Sequence, residues 1–195
     1  MKFVLGSGSP RRRELLQPLF GEIEIVPPHI DECIIHGEKP VEYTLRIVDA
    51  KMNAVLSGMD EEVVCLTSDT IVTIDDYILG KPLSRAEAFS MLRLLSGREH
   101  SVITGICLAY PVNGTFKKVS AYEQSAVFFK ELSDESINRY LDLIHYCDKA
   151  GSYAIQDNGD MIVDSIKGSV TNVIGLPLGL LFRMIGNAGF INSFF

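Results

Sequence analysis

Three consecutive arginines, Arg11, Arg12 and Arg13, follow Gly6-Ser7-Gly8-Ser9-Pro10 at what reads as the start of a helix. A helix N-terminus already carries positive potential and unpaired N–H groups, so cations there oppose the local electrostatics. An anion relieves that conflict, and a strand, a Gly/Ser turn and a helix N-terminus together offer it a seat. Phosphate fits this arrangement; the alternative is a solvated basic turn that Ser9 merely caps. The second feature is Asp69, within Thr67-Ser68-Asp69-Thr70, which interrupts the apolar run from Val63 to Ile74. A carboxylate in such a place needs a cation, a metal ion or hydrogen bonds to compensate it. It is suited to deprotonating a water, or to sharing a divalent ion with phosphate oxygens. The competing reading is a local turn cap through Ser68 or Thr70. Lys51, Lys81 and Glu32 are further candidates, each of which, taken alone, reads more readily as a solvated side chain.

Better-known phosphate motifs do not fit. Arg11 stands where a dinucleotide fingerprint needs its third Gly, and Gly80-Lys81-Pro82 lacks the upstream Gly and the Ser/Thr of a Walker A loop. The G-x-S-x-G elbow and H-E-x-x-H are absent, which leaves serine-hydrolase and zincin chemistry without a foothold. Cys33, Cys65, Cys107 and Cys147 are far apart with no C-x-x-C pair, so free thiols are expected. Cys33-Ile34-Ile35-His36 resembles half a metal site that has no second half.

The elements that must position these residues follow from periodicity and punctuation. Phe3 to Leu5 reads as a buried strand, then a helix capped by Ser9, with Pro10 at its first position, runs to about Leu16. Pro27-Pro28 and Asp31 to Lys39 mark a loop. Val41, Leu45, Val48, Met52, Val55 and Leu56 recur at helical spacing up to Ser57-Gly58. Val63 to Leu66 reads as a strand, 67–70 as a polar insert, and Ile71 to Ile74 turns at Asp75-Asp76 into Tyr77 to Leu79. Ser84-Arg85-Ala86-Glu87 is a capping box for a helix ending at Leu95, with Ala88, Phe89, Met91, Leu92 and Leu95 inward and Ser96-Gly97 as the stop. Ser101 to Tyr110 and Thr115 to Phe129 form a hairpin across Asn113-Gly114. Ser133 caps a helix over Asp134 to Ile144. Met161 to Ile166 and Ser169 to Ile174 read as a last pair of strands before a helix that starts at Gly175-Leu176-Pro177. Helices interleaved with hairpins predict an α/β fold with a mixed sheet.

The 195 residues suit one domain, and 47% hydrophobic with 22% charged residues supports a real core. Apolar stretches are strand-length, well short of the ~20 residues that span a bilayer, and the first residues lack a signal-peptide apolar region. A net charge of −7 opposes binding to nucleic acid or anionic membranes.

The stretches Leu5 to Leu16, Ser68-Asp69-Thr70-Ile71-Val72, Gly80-Lys81-Pro82, Leu95 to Gly105 and Asp148 to Gln156 resemble the Maf family of nucleoside triphosphate pyrophosphatases, in family order. Ser169 to Pro177 is similar to the family's C-terminal segment. The resemblance implies one domain over residues 1–195, with an elongated mixed-sheet α/β fold, two lobes around a cleft, related to inosine triphosphate pyrophosphatases. It implies hydrolysis of a nucleoside triphosphate to the monophosphate and pyrophosphate with a divalent metal, Mg2+ or Mn2+. By the resemblance, Asp69 is the proton acceptor and with Glu32 a metal ligand, while Ser7, Arg12, Lys51 and Lys81 bind phosphate. Arg11, Thr70 and Gln156 match members that prefer dTTP and UTP; the branch acting on 7-methyl-GTP typically has an aromatic residue at the Arg11 position. A Gln side chain offers both the donor and the acceptor that a pyrimidine edge requires. The family usually has Gly where Ala154 and Asp157 stand, so an extra carboxylate is expected near the triphosphate. A homodimer and a cytoplasmic location are further implications. The family's association with arrest of cell division keeps a regulatory binding protein with little catalysis as the rival expectation.

Overall fold

Phe3, Val4 and Leu5 are apolar without alternation, which marks a strand covered on both faces, and β1 (Lys2–Gly6) is buried on both. The computed structural model describes residues 2–59 and 63–189. β1 lies parallel to β2 (Ile23–Ile25) and to β3 (Val63–Ile74). β3 pairs antiparallel with β4 (Tyr77–Leu79) and β5 (Glu99–Val112). β5 pairs with β6 (Thr115–Phe129), and β6 with β7 (Val163–Lys167). Among the described residues the result is one mixed seven-stranded sheet, ordered β2-β1-β3-β5-β6-β7 with β4 against the far end of β3. Asn113 and Gly114, with φ of 52° and 77°, supply the left-handed pair that a tight β5–β6 turn demands.

Six α-helices accompany the sheet among the described residues: α1 (Pro10–Phe20), α2 (Pro40–Leu56), α3 (Arg85–Leu95), α4 (Asp134–Leu143), α5 (Val170–Ile174) and α6 (Leu178–Ala188). Alternation along β1 and β3 sorts their side chains onto two faces. Phe3, Leu5, Val64 and Leu66 pack with Leu16 of α1 and with Leu181 and Ile185 of α6. Val4, Val63 and Cys65 meet Val48, Met52 and Val55 of α2 on the opposite face. Farther along, Val72 and Ile74 join Leu92 and Leu95 of α3 and Ile137 and Tyr140 of α4. No helix of the described residues is long and apolar enough to cross a membrane.

Several expectations are corrected. Residues 67–70 do not interrupt a strand; β3 is continuous, because each polar side chain there finds a partner, Thr67 Oγ1 donating to the Val48 carbonyl at 2.7 Å, for example. Residues 170–174 are helical rather than extended: Ser169 Oγ accepts from Asn172 N–H at 3.1 Å, and the buried Asn172 amide donates to the Val102 carbonyl and Ser125 Oγ. β-Branched composition suggested a strand there, and tertiary hydrogen bonds prevailed. α1 runs past Leu16 and through Pro18 to Phe20, with Gly21 at its C-cap and Phe20 stacked on Phe3 at 4.3 Å. Ser9 occupies the cap position without a side-chain cap bond. β2, three residues long, is too short to leave a pattern in sequence.

One detail of the register makes room for a site. β1 ends at Gly6 opposite Thr67, and β4 first pairs at Val72. Between these points, residues 68–71 of β3 have no neighbouring strand on that side among the described residues. Side chains from both faces of β3 are thereby accessible from one opening.

Candidate active site

A pocket of about 490 Å³ occupies this gap, within the range of small-molecule sites. From one face of β3, Asp69 points toward α2. The buried stripe of α2 is apolar at Ile47, Val48, Met52 and Val55 but carries Lys51 among them. A cation on that stripe needs an anion, and Lys51 Nζ donates to Asp69 Oδ1 at 2.6 Å. The same nitrogen lies 2.8 Å from Glu32 Oε1. Glu32 belongs to the loop between β2 and α2, and α2 holds that loop: Tyr43 O–H donates to the Glu32 carbonyl at 3.0 Å, and Arg46 donates to the Cys33 carbonyl at 2.9 Å. Burial raises the Glu32 carboxyl pKa, but the Lys51 hydrogen bond and the charges of Lys51, Lys81 and Arg12 together carry it below its ordinary value. Burial, with the Asp69 and Glu32 charges, pushes the Tyr43 hydroxyl up, so it remains a donor.

From the other face of β3, Thr70 and Ser68 meet the N-terminus of α1 and the turn after α5. The Arg12 guanidinium donates from Nε to the Gly175 carbonyl at 2.9 Å, from Nη1 to Ser7 Oγ at 2.9 Å and from Nη2 to Thr70 Oγ1 at 3.1 Å. Ser68 Oγ donates to the same Gly175 carbonyl at 3.1 Å. Burial lowers the Arg12 pKa against an opposing pull from Asp69. These contacts fix the Arg12 guanidinium on neutral oxygens at the pocket, while Arg13 is exposed.

The remaining wall comes from Lys81 after β4, from Asp148 and Lys149, and from 153–156. Arg11 Nη1 lies 3.2 Å from Asp148 Oδ2. Lys149 is buried, and Gln156 and Lys81 are exposed. The carboxylate of Asp157 is spoken for by Lys149 at 3.3 Å.

Ser7, Arg11, Arg12, Glu32, Lys51, Asp69, Thr70, Lys81 and Gln156 thus all line one pocket, although they come from six separate stretches of chain. The structure pairs Lys51 with both carboxylates and Thr70 with Arg12. It adds Tyr43, Asp148, Lys149 and Tyr153, which sequence reasoning had not singled out as side chains. Lys149 stands in a stretch without helical or strand period, so nothing but its motif drew notice to it. Among the described residues no group of three or more His, Cys, Asp or Glu side chains is gathered to hold a metal ion. Asp69 and Glu32 nevertheless converge on a single cation, and two carboxylates plus substrate phosphate oxygens are the donor set a hard divalent ion uses. The residues present therefore fit such an ion once phosphate completes its oxygen shell.

The family model described as Maf-like protein matches residues 2–188 of this chain. A Thermoanaerobacter pseudethanolicus protein named dTTP/UTP pyrophosphatase is 44% identical over 186 residues, covering 95% of both chains. A Clostridioides difficile protein of the same name is 41% identical over 195 residues, covering 100% of this chain and 99% of that one. Among solved structures, the Staphylococcus aureus Ham1 protein aligns over 96% of this chain and 100% of its own, with a TM-score of 0.48 and 10% identity.

Proposed function

The chain belongs to the Maf family, and from that premise we propose that it hydrolyses nucleoside triphosphates to the monophosphate and pyrophosphate, with a preference for dTTP and UTP. The observation that carries this reading is the position of Asp69, Lys51 and Glu32 on one side of the β3 gap and of Arg12 and Ser7 on the other. A triphosphate in the gap meets cations from both faces of the strand. The relatives named dTTP/UTP pyrophosphatase support the base preference.

In the proposed reaction the α-phosphorus lies in front of Asp69. Lys51 occupies Asp69 Oδ1, which leaves Oδ2 to accept a proton from water. The resulting hydroxide attacks the α-phosphorus, the bond to the bridging oxygen breaks, and pyrophosphate departs with that oxygen and its electron pair. Arg12, already pinned by three acceptors, stabilises charge on the phosphate oxygens without reorganising, and Lys51 and Lys81 add to it. Glu32 and Asp69 would hold a divalent metal ion, Mg2+ or Mn2+, which when bound supplies further charge neutralisation on the phosphate. Arg11 and Gln156, which line the same pocket, read the base.

The test is pyrophosphate release from a panel of normal and modified nucleoside triphosphates, with and without Mg2+ or Mn2+, for the wild type and Asp69→Asn. Release favouring dTTP and UTP, reduced at least ~100-fold in the variant, is expected. Full turnover in Asp69→Asn sinks the assignment of the base. No release from any substrate sinks the enzymatic reading itself.

A further inference from the structure

We infer that Lys149 is a positioning residue that ties the first turn of α1 to the 154–157 segment through a chain of alternating charges, Arg11–Asp148–Lys149–Asp157, and so sets how Arg11 and Gln156 are held relative to each other where a base is read. The inference rests on the nucleotide reading above. The links are continuous: Arg11 Nη1 to Asp148 Oδ2 at 3.2 Å, Lys149 Nζ to Asp148 Oδ1 at 2.9 Å, and Lys149 Nζ to Asp157 Oδ2 at 3.3 Å. Asp148 uses one oxygen for each cation.

Lys149 is the anchor of this chain. Its side chain is 5% exposed, against 43% and 45% for Asp148 and Asp157. An isolated exposed ion pair stabilises little, but a buried ammonium must be compensated fully. Here it donates to Asp148 Oδ1 and to the His145 carbonyl, and Asp157 Oδ2 adds an ion pair at 3.3 Å. Buried and already paired with two carboxylates, Lys149 acts on a nucleotide through these partners.

Those partners adjoin the two groups that read the base. Arg11 lies in the first turn of α1. Asp157 directly follows Gln156, and Ala154 is fixed independently, its N–H donating to Tyr140 Oη and its carbonyl accepting from the same hydroxyl, both at 3.2 Å. The short segment 154–157 is therefore pinned at both ends, with Ile155 and Gln156 between the pins. The net charge along the four residues is zero, so the chain positions Arg11 and Gln156 without adding anionic charge to the pocket.

The experiment measures kcat and KM for dTTP, UTP, dATP and dGTP on the full chain carrying Lys149→Met, Lys149→Arg or Asp157→Asn. Expected for Lys149→Met is a fall of about tenfold in the pyrimidine-over-purine ratio of kcat/KM, carried by KM rather than kcat. Lys149→Arg restores most of the ratio, and Asp157→Asn shifts it in the same direction by less. A folded Lys149→Met protein that retains the wild-type ratio overturns the inference. Should Lys149→Met fail to fold, the half-exposed Asp157→Asn decides, and an unchanged ratio there overturns it equally. A wild type that releases no pyrophosphate overturns the nucleotide reading and this inference with it, one that treats all bases alike overturns the base preference and this inference, and a wild-type preference unaffected by every variant overturns this inference alone.

Discussion

Gly105 stands directly opposite Asp69 in the β3–β5 ladder, and the side chain it lacks is what lets α2 lie close enough for Lys51 to reach the carboxylate. A Cβ at Gly105 would lie 2.7 Å from Thr44 Cγ2 and 3.3 Å from the Thr44 carbonyl, both on α2. Gly105→Ala is accordingly expected to push α2 outward, lower stability by about 1–3 kcal/mol and slow pyrophosphate release. Adding Thr44→Ser removes the clashing methyl while keeping the hydroxyl that bonds the Pro40 carbonyl. Urea unfolding should then show the pair to be more stable than Gly105→Ala alone; simple additivity of the two changes refutes the contact.

Lys51→Met leaves the Asp69 and Glu32 carboxylates without their shared cation. Breaking a largely buried pair in this way costs roughly 3 kcal/mol, and the freed oxygens make a better seat for a divalent ion. Thermal unfolding of Lys51→Met should begin from a lower Tm and rise more with Mg2+ than the wild type does. Equal Mg2+ shifts in the two proteins would count against these carboxylates as the metal ligands.

Thr70→Val preserves shape but deletes the hydroxyl that accepts from Arg12 Nη2 and lies 3.0 Å from Thr104 Oγ1. The guanidinium loses one of its three anchors. A rise of about tenfold in KM, corresponding to one charge-assisted hydrogen bond, is expected from steady-state kinetics. An unchanged KM would show that Gly175 and Ser7 suffice to hold Arg12.

His100 is buried against Phe129 and Tyr153, with Nε2 and the Tyr153 hydroxyl 2.7 Å apart, and burial depresses its pKa to about 4. The unfolded chain then binds a proton near pH 6.5 that the folded chain refuses until about pH 4. Stability therefore falls as pH drops through this window, by about 3 kcal/mol in total. The depressed carboxylates, Glu32 and Asp148 among them, lose their own contribution lower still, below about pH 4.5. Denaturant titrations between pH 6.5 and 4.5 should show a steeper loss for the wild type than for His100→Gln; parallel curves would remove His100 as the cause.

The two strands of the long hairpin and the helices α2, α3 and α4 were legible because each announces itself within its own residues, through Asn113-Gly114, through apolar spacing or through the Ser84 and Ser133 caps. Segment 170–174 was misread because its β-branched residues favour a strand, while Asn172, bonded to two strands distant in sequence, makes it a helix. The continuity of β3 was likewise hidden. Thr67, Ser68, Asp69 and Thr70 look like an interruption until α2, α1 and Gly175 are in place to satisfy them.

From sequence alone came the mixed α/β character, the order of the motifs and the identity of the chemically able side chains, since periodicity, turn chemistry and residue type act locally. Tertiary structure decided which of those side chains meet. Lys51 and Asp69 are 18 residues apart and Arg12 and Gly175 are 163 apart, and no local pattern reports either contact. Coulombic and hydrogen-bond energies depend on distance through space, and that distance is set by a strand ending at Gly6, a glycine opposite Asp69 and a gap in the sheet between them and β4.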